Sequence, residues 1–155
     1  MRRLATIVGA RGFVGARLAR RLAADGWEVY APEKDAPELV ARRLGVVFYC
    51  AGLTADFEAR PVDTVEAHAA LIGRVIAAGR FERLVYLSST RLYDGLATAE
   101  AEEAEPLIFE VTDRRRVFDL SKALGETLTL TRAGGRGRVA RLSNVYDWEP
   151  GAAGF

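Results

Sequence analysis

The sequence predicts an α/β fold of three layers, a doubly wound parallel sheet with helices on both faces. Two observations carry that prediction. Short apolar, β-branched runs alternate along the chain with amphipathic helical stretches. The first of these runs, Leu4–Val8, also meets its helix through a turn built on three glycines, Gly9-Ala10-Arg11-Gly12-Phe13-Val14-Gly15. Behind that turn Val14, Leu18 and Leu22 recur at every fourth position, with Arg17, Arg20 and Arg21 on other faces. Strand, glycine turn and helix in that order form the context of a dinucleotide-binding loop. Gly9 permits a tight turn, Gly12 lets the backbone approach a pyrophosphate, and Gly15 lets the helix pack close to the strand. The N–H groups at the helix start then face the phosphates. The spacing is G-x-x-G-x-x-G where G-x-G-x-x-G is commoner. The alternative is a glycine-rich βα turn that binds nothing.

Asp25-Gly26 stops the helix. Residues 27–31 read as the second strand, which ends at Pro32-Glu33-Lys34-Asp35. Glu33 lies about twenty residues beyond the glycine loop, where a Rossmann domain places its ribose-binding acid. A carboxylate there accepts from the ribose hydroxyls of NAD and repels the 2′-phosphate of NADP. Arg11 points the other way, because a guanidinium inside the loop could meet that phosphate. The balance leans to NAD, with NADP as second choice, and the plainer alternative is that Glu33 is a solvated turn charge.

Residues 36–45 leave room for one short helix and no full strand–helix pair. Residues 46–50 form the next strand, with Cys50, Ala51 and Gly52 at its exit. Small residues there let a cofactor lie against the backbone. Cys50 reads as a small buried apolar side chain, not a nucleophile. After Arg60-Pro61, residues Val62, Val65, Ala69, Ile72 and Ile76 repeat at steps of three and four, beside a second stripe of His68, Leu71 and Val75. This helix is expected to pack its wide apolar face on the sheet. His68, the only histidine, reads first as a core residue with a satisfied ring and second as a site residue. No metal site is expected, since nothing supplies two partner ligands at a recognisable spacing.

Residues 84–87 form a buried strand that opens into Ser88-Ser89-Thr90, placing hydroxyls at the carboxyl end of a parallel strand, where open α/β sheets bind ligands. The acidic stretch 98–106 reads as a solvated loop. Arg114-Arg115-Arg116 starts or rims a helix that Val117, Leu120, Leu124 and Leu128 mark out. Gly134-Gly135-Arg136-Gly137 then turns the chain into a last strand at 139–142. With no internal repeat and no linker, residues 1–155 read as a single domain.

Composition narrows the function classes. Half of the 155 residues are hydrophobic, enough for a real core. A net charge of +1, from 22 basic and 21 acidic residues, gives no general case for nucleic acid or an anionic membrane. No apolar run approaches the roughly 20 residues that span a bilayer. Met1-Arg2-Arg3 leads into a strand, not a signal peptide. The single cysteine excludes an internal disulfide, and a reduced cytoplasm is the expected compartment.

Four landmarks, in order, resemble the extended short-chain dehydrogenase/reductase family, in particular its NAD-dependent sugar epimerases and dehydratases. The loop GARGFVG resembles the family's cofactor loop. The run from Tyr86 through Ser88-Ser89-Thr90-Arg91-Leu92-Tyr93 resembles its "SSxxVY" strand end. Leu120-Ser121-Lys122-Ala123-Leu124-Gly125-Glu126 resembles its "YxxSKxxxE" helix, and Arg141-Leu142-Ser143-Asn144-Val145-Tyr146 its "RxxNVYG" element. The resemblance implies a Rossmann domain that binds NAD through Gly9, Arg11, Gly12, Phe13, Val14, Gly15, Glu33, Cys50, Ala51, Gly52, Ser88 and Lys122. It implies that Ser89 hydrogen-bonds the substrate, that Lys122 holds the nicotinamide ribose, and that Asn144 helps seat the phosphates of a nucleotide sugar. A homodimer is the expected assembly.

Two departures follow. The family's proton-transferring tyrosine lies four residues before Lys122, where this chain has Phe118. General acid–base catalysis then loses its usual contribution of roughly 10²–10⁴-fold, and Tyr93 is the nearest tyrosine by motif to replace it. The family also continues beyond "NVYG" into a substrate-binding region that is absent or truncated here. Two functions are therefore expected: an NAD-dependent epimerase, dehydratase or reductase of impaired activity, or a non-catalytic nucleotide-binding module such as a sensor, subunit or degenerate paralogue.

Overall fold

The structure, a computed structural model, describes residues 2–34, 36–97 and 100–146. Its centre is a five-stranded sheet of β1 (Leu4–Val8), β2 (Glu28–Tyr30), β3 (Gly45–Tyr49), β4 (Phe81–Ser89) and β5 (Gly137–Leu142), in the order β2-β1-β3-β4-β5. Every pairing is parallel, with Thr6 opposite both Tyr30 and Val47. The chain runs outward from β1 to β2 through α1 (Phe13–Ala24), then returns past β1 to β3. Between β2 and β3 lies only the one-turn α2 (Glu38–Ala41), as the short spacing predicts. The reversal of strand order at β1 and β3 is where a doubly wound sheet opens a crevice at its carboxyl edge.

Alternating strand residues feed two cores. Ala5, Ile7 and Phe48 pack with Leu18 and Leu22 of α1 on one face. Val47, Tyr49, Leu84 and Tyr86 pack with Leu39 of α2 and Ile72, Val75 and Ile76 of α4 (Leu71–Ala78) on the other. The helix over that second face begins as α3 (Pro61–Val65), passes through a π-helical turn at Glu66–Ala70, and ends as α4. Residues 100–106 form no helix or strand, and Thr98 and Ala99 of the predicted acidic loop lie outside the described residues.

Two expectations about burial fail. Val62 and Val65 do not face the sheet, and Val62 is 80% exposed. The wider i→i+5 turn between them and α4 breaks the 3.6-residue phase on which the stripe depends, so only Ala69, Ile72 and Ile76 stay inside. In α5 (Arg116–Arg132) the predicted stripe also turns outward: Leu124 is 49% exposed and Leu120 is exposed beside it. The buried face carries Phe118, Asp119, Ser121, Lys122, Gly125, Glu126 and Thr129 instead. A leucine would not fit there. A Cβ on Gly125 would stand 2.4 Å from the Tyr86 hydroxyl oxygen and 2.5 Å from the His68 carbonyl oxygen.

His68 joins three elements at the π turn. The Leu53 N–H donates to its Nε2 at 3.2 Å, so Nδ1 carries the proton and donates to Ser121 Oγ at 2.8 Å. Ser121 in turn donates to the Phe118 carbonyl at 3.0 Å. The hydroxyls of Tyr49 and Tyr86 donate to the carbonyls of Ala67 and His68 within the same turn. The reading of His68 as a satisfied core residue thus describes its bonding.

Burial, reinforced by the Lys122 charge, pushes the His68 imidazole down from 6.5 to about 3. The unfolded chain therefore binds a proton on this ring that the folded chain refuses. Stability is full above the unfolded value of about 6.5 and falls as pH drops from there toward 3, at a slope approaching about 1.4 kcal/mol per pH unit. Urea unfolding between pH 7 and 5, above the range in which most carboxylates titrate, should show this fall, and His68→Gln should flatten it. A flat native profile in that window would refute the assignment.

Candidate functional site

The loops at the carboxyl edge of β1, β3, β4 and β5, together with α5, enclose a cleft of about 490 Å³. Gly12 comes from the turn after β1, Phe13 and Val14 from the start of α1, and Cys50 and Gly52 from the exit of β3. Leu87, Ser88, Ser89 and Thr90 form the end of β4 and the start of the turn behind it. Phe118 and Lys122 enter from α5, and Asn144 from the segment after β5. Nine of the sequence-predicted site residues therefore meet in one place, although they span 133 positions, from Gly12 to Asn144.

The three loop glycines do different work. Gly9 has φ +87°, and a Cβ on it would stand 2.7 Å from the Ala51 nitrogen. A Cβ on Gly15 would stand 2.3 Å from the Gly9 carbonyl oxygen. Both are needed for the fold, and neither lines the cleft; Ala51 likewise serves as the surface against which Gly9 packs. Gly12 differs. It has an ordinary extended φ of −74°, caps α1 with no side-chain hydrogen bond, and a Cβ there would touch only the Gly9 carbonyl oxygen at 3.4 Å. The chain itself has no use for a missing side chain at Gly12, and the space it leaves opens into the cleft.

Beside it the chemistry is polar but uncommitted. The Ser88 hydroxyl is buried without a hydrogen-bond partner among the described residues. Lys122 is buried, and its Nζ donates to the Leu87 carbonyl at 2.8 Å. Burial pulls its ammonium down from 10.5 to about 8, against the opposing pull of Cys50 and Glu126. Burial pushes the Cys50 thiol up to about 12, which keeps it protonated and inert. Ser89 accepts from the Arg91 N–H through its own hydroxyl at 3.2 Å. Phe118 occupies the floor, with its ring 5.0 Å from His68 in an edge-on contact and 5.3 Å from Phe57.

Other predicted residues lie elsewhere. Arg11 and Glu33, read as rival signals, form an exposed ion pair with one another and line a second groove with Tyr30, Pro32, Lys34 and Arg42. Tyr93 sits in the short 3₁₀ turn Thr90–Tyr93, where its hydroxyl accepts from Arg141 at 2.6 Å. Arg141 is itself clamped by Glu126 through two hydrogen bonds. Tyr93 is not among the residues that line the cleft.

Sequence reasoning passed over Arg91 and Asp119. Asp119 is fully buried and receives Arg91 Nε at 3.2 Å and Arg116 Nη1 at 2.9 Å. The only signal was a charge inside the "SSxxVY" run and another on the helix that follows. Among the described residues no group of three or more His, Cys, Asp or Glu could hold a metal ion, and no helix is long and apolar enough to cross a membrane.

Comparison with known proteins fits this geometry. The chain is similar to a UDP-glucuronic acid 4-epimerase from Bacillus cereus in complex with NAD, at 14% identity and a TM-score of 0.73 over 91% of this chain and 56% of that one. It is similar to a dTDP-4-dehydrorhamnose reductase from Bacillus anthracis in complex with NADP, at 20% identity and a TM-score of 0.72 over 92% and 54%. It is also similar to MoeE5 in complex with UDP-glucose and NAD, at 20% identity and a TM-score of 0.69 over 90% and 52%. The chain thus spans about half the length of these structures. No curated protein sequence matches it. The profile of the NAD dependent epimerase/dehydratase family matches residues 5–149, and the chain belongs to that family.

Proposed function

We propose that the cleft binds a nicotinamide dinucleotide, NAD ahead of NADP, and that the chain is the cofactor-binding part of an oxidoreductase-type enzyme acting on a nucleotide sugar. The observation that carries this is Gly12, whose missing side chain serves nothing inside the fold. The buried, unpartnered Ser88 hydroxyl and the small Cys50-Ala51-Gly52 exit fit the same ligand. When bound, the dinucleotide supplies a hydride donor and acceptor. The backbone at Gly12, Phe13 and Val14 would carry the pyrophosphate, and Glu33 the adenosine ribose. Lys122 would hold the nicotinamide ribose, Ser89 would donate to the substrate oxygen, and Asn144 would help seat the phosphates.

What this chain lacks is a proton carrier at the position of Phe118, whose ring has no titratable atom. That observation favours a second reading, a nucleotide-binding module without turnover. The family's enzymes and the intact loop weigh toward the first, with activity impaired. We also propose a homodimer. Val62, Val65 and Val117 line one outer groove, and Leu120 and Leu124, on the same helix as Val117, are also exposed apolar side chains of the kind an interface covers.

Three measurements test these readings. Thermal-shift titration should give tighter NAD than NADP binding by the native chain. Gly12→Val should abolish both while keeping the native melting temperature, and Glu33→Ala should narrow the preference by freeing Arg11. Survival of NAD binding in Gly12→Val would remove the loop from the site. In a coupled assay with NAD and UDP-glucose, turnover by the native chain should be weak or at background, with any gain confined to Phe118→Tyr. Robust native turnover would assign the proton to another residue. Sedimentation at micromolar concentration should give a native dimer and a Leu124→Asp monomer, and a native monomer would exclude this interface.

A further inference from the structure

One cation in the cleft is not absorbed by that account. Arg91 lines the cleft between Thr90 and the Phe118 ring, and its side chain is 35% exposed. Its guanidinium carbon stands 4.8 Å from the centre of the Phe57 ring and 5.2 Å from that of Phe118. Asp119 grips it from behind through Nε only. That carboxylate already has a second guanidinium, Arg116, on its other oxygen. Arg116 is shared between Asp119 and Asp113, whereas Asp119 is the one carboxylate that Arg91 pairs with among the described residues. Among the described residues both Nη atoms of Arg91 are without a hydrogen-bond partner. Asp94, the carboxylate on the cleft, forms no ion pair with it.

We propose that Arg91 is the substrate-specificity residue of this cleft, and that its outer nitrogens receive a carboxylate carried by the sugar. The cleft then selects nucleotide-linked uronic acids over neutral hexoses. The inference rests on the nucleotide-sugar reading above. A guanidinium held at Nε and flanked by two rings is fixed in orientation before ligand arrives, and its two outer nitrogens match the two oxygens of a carboxylate. Its place beside Ser89 and Phe118 sets it at the sugar end of the site.

The test is calorimetric titration of the chain, saturated with NAD, with UDP-glucuronic acid and with UDP-glucose, which differ by a carboxylate in place of a hydroxymethyl group. The native chain should prefer the acid by at least about tenfold. Arg91→Gln should bring the ratio close to one. Arg91→Lys, which keeps the charge and loses the fork, should lower it several-fold. The NAD thermal shift reports whether each variant is folded. If Arg91→Gln does not fold, Arg91→Lys decides, and an unchanged ratio overturns the proposal. Equal native affinities, or an Arg91→Gln loss that is the same for both ligands, overturn it while leaving the nucleotide-sugar reading in place. Native binding of NAD with neither sugar defeats that reading and this proposal together.

Discussion

The floor of the cleft depends on the close approach of α5 to its neighbours. Gly125 faces the Tyr86 ring and the His68 carbonyl at distances that admit no side chain at all. Any larger residue would push the helix away and carry Lys122 and Phe118 with it, one and two turns along the same face. The contact is shared three ways. Tyr86 stacks on Tyr49 at 5.6 Å, and both hydroxyls fasten the π turn of the neighbouring helix. A strand, an irregular helix and a regular helix thus converge on one glycine, and the floor of the cleft is built on that convergence.

This closeness explains why so much polarity is buried along α5. Where the helix cannot offer large apolar groups to its neighbour, most of the polar groups that fill the interface find partners, the Thr129 hydroxyl being an exception. Asp119 has two arginines, Glu126 has Arg141, Ser121 has His68, and Lys122 has the Leu87 carbonyl. Each bond fixes a different piece of the cleft's rim or floor. The Glu126–Arg141 clamp reaches Tyr93 and so anchors the turn that follows β4. Buried polar groups of this kind are costly when half satisfied, and here the same residues that stabilise the helix also orient the site.

Much of the fold was legible in the sequence because its signals are local. The glycine turn, the apolar strand runs and the short spacing after Glu33 each act over a few residues, and each is present in the structure. The four motif landmarks likewise fall around one cleft. What was not legible is directional. Val62 and Val65 keep a helical spacing, yet a π turn downstream rotates them outward. Leu120 and Leu124 mark a helix correctly and its buried face wrongly, because the fit at Gly125 outweighs hydrophobic preference. Arg11 and Glu33 could be read only as rivals, since nothing in a sequence says that two residues 22 positions apart will pair with each other.

Phe118 ties these strands of argument together. A phenylalanine ring on the floor of a polar cleft would leave a bare apolar surface if nothing packed against it. Here the ring is packed edge-on against His68, tilted against Phe57, and overlain by the Arg91 guanidinium. An aromatic face without a phenol group is a good partner for a cation and a poor one for a proton relay. The surroundings of Phe118 therefore do not resemble a site from which one atom has been deleted. They form a coherent aromatic seat for Arg91, in which the phenylalanine supports a charge on the wall of the cleft. On the reading proposed above, the ring that lacks a titratable proton is also the ring that orients Arg91, so any effect of this position on turnover and on selectivity would share one physical origin.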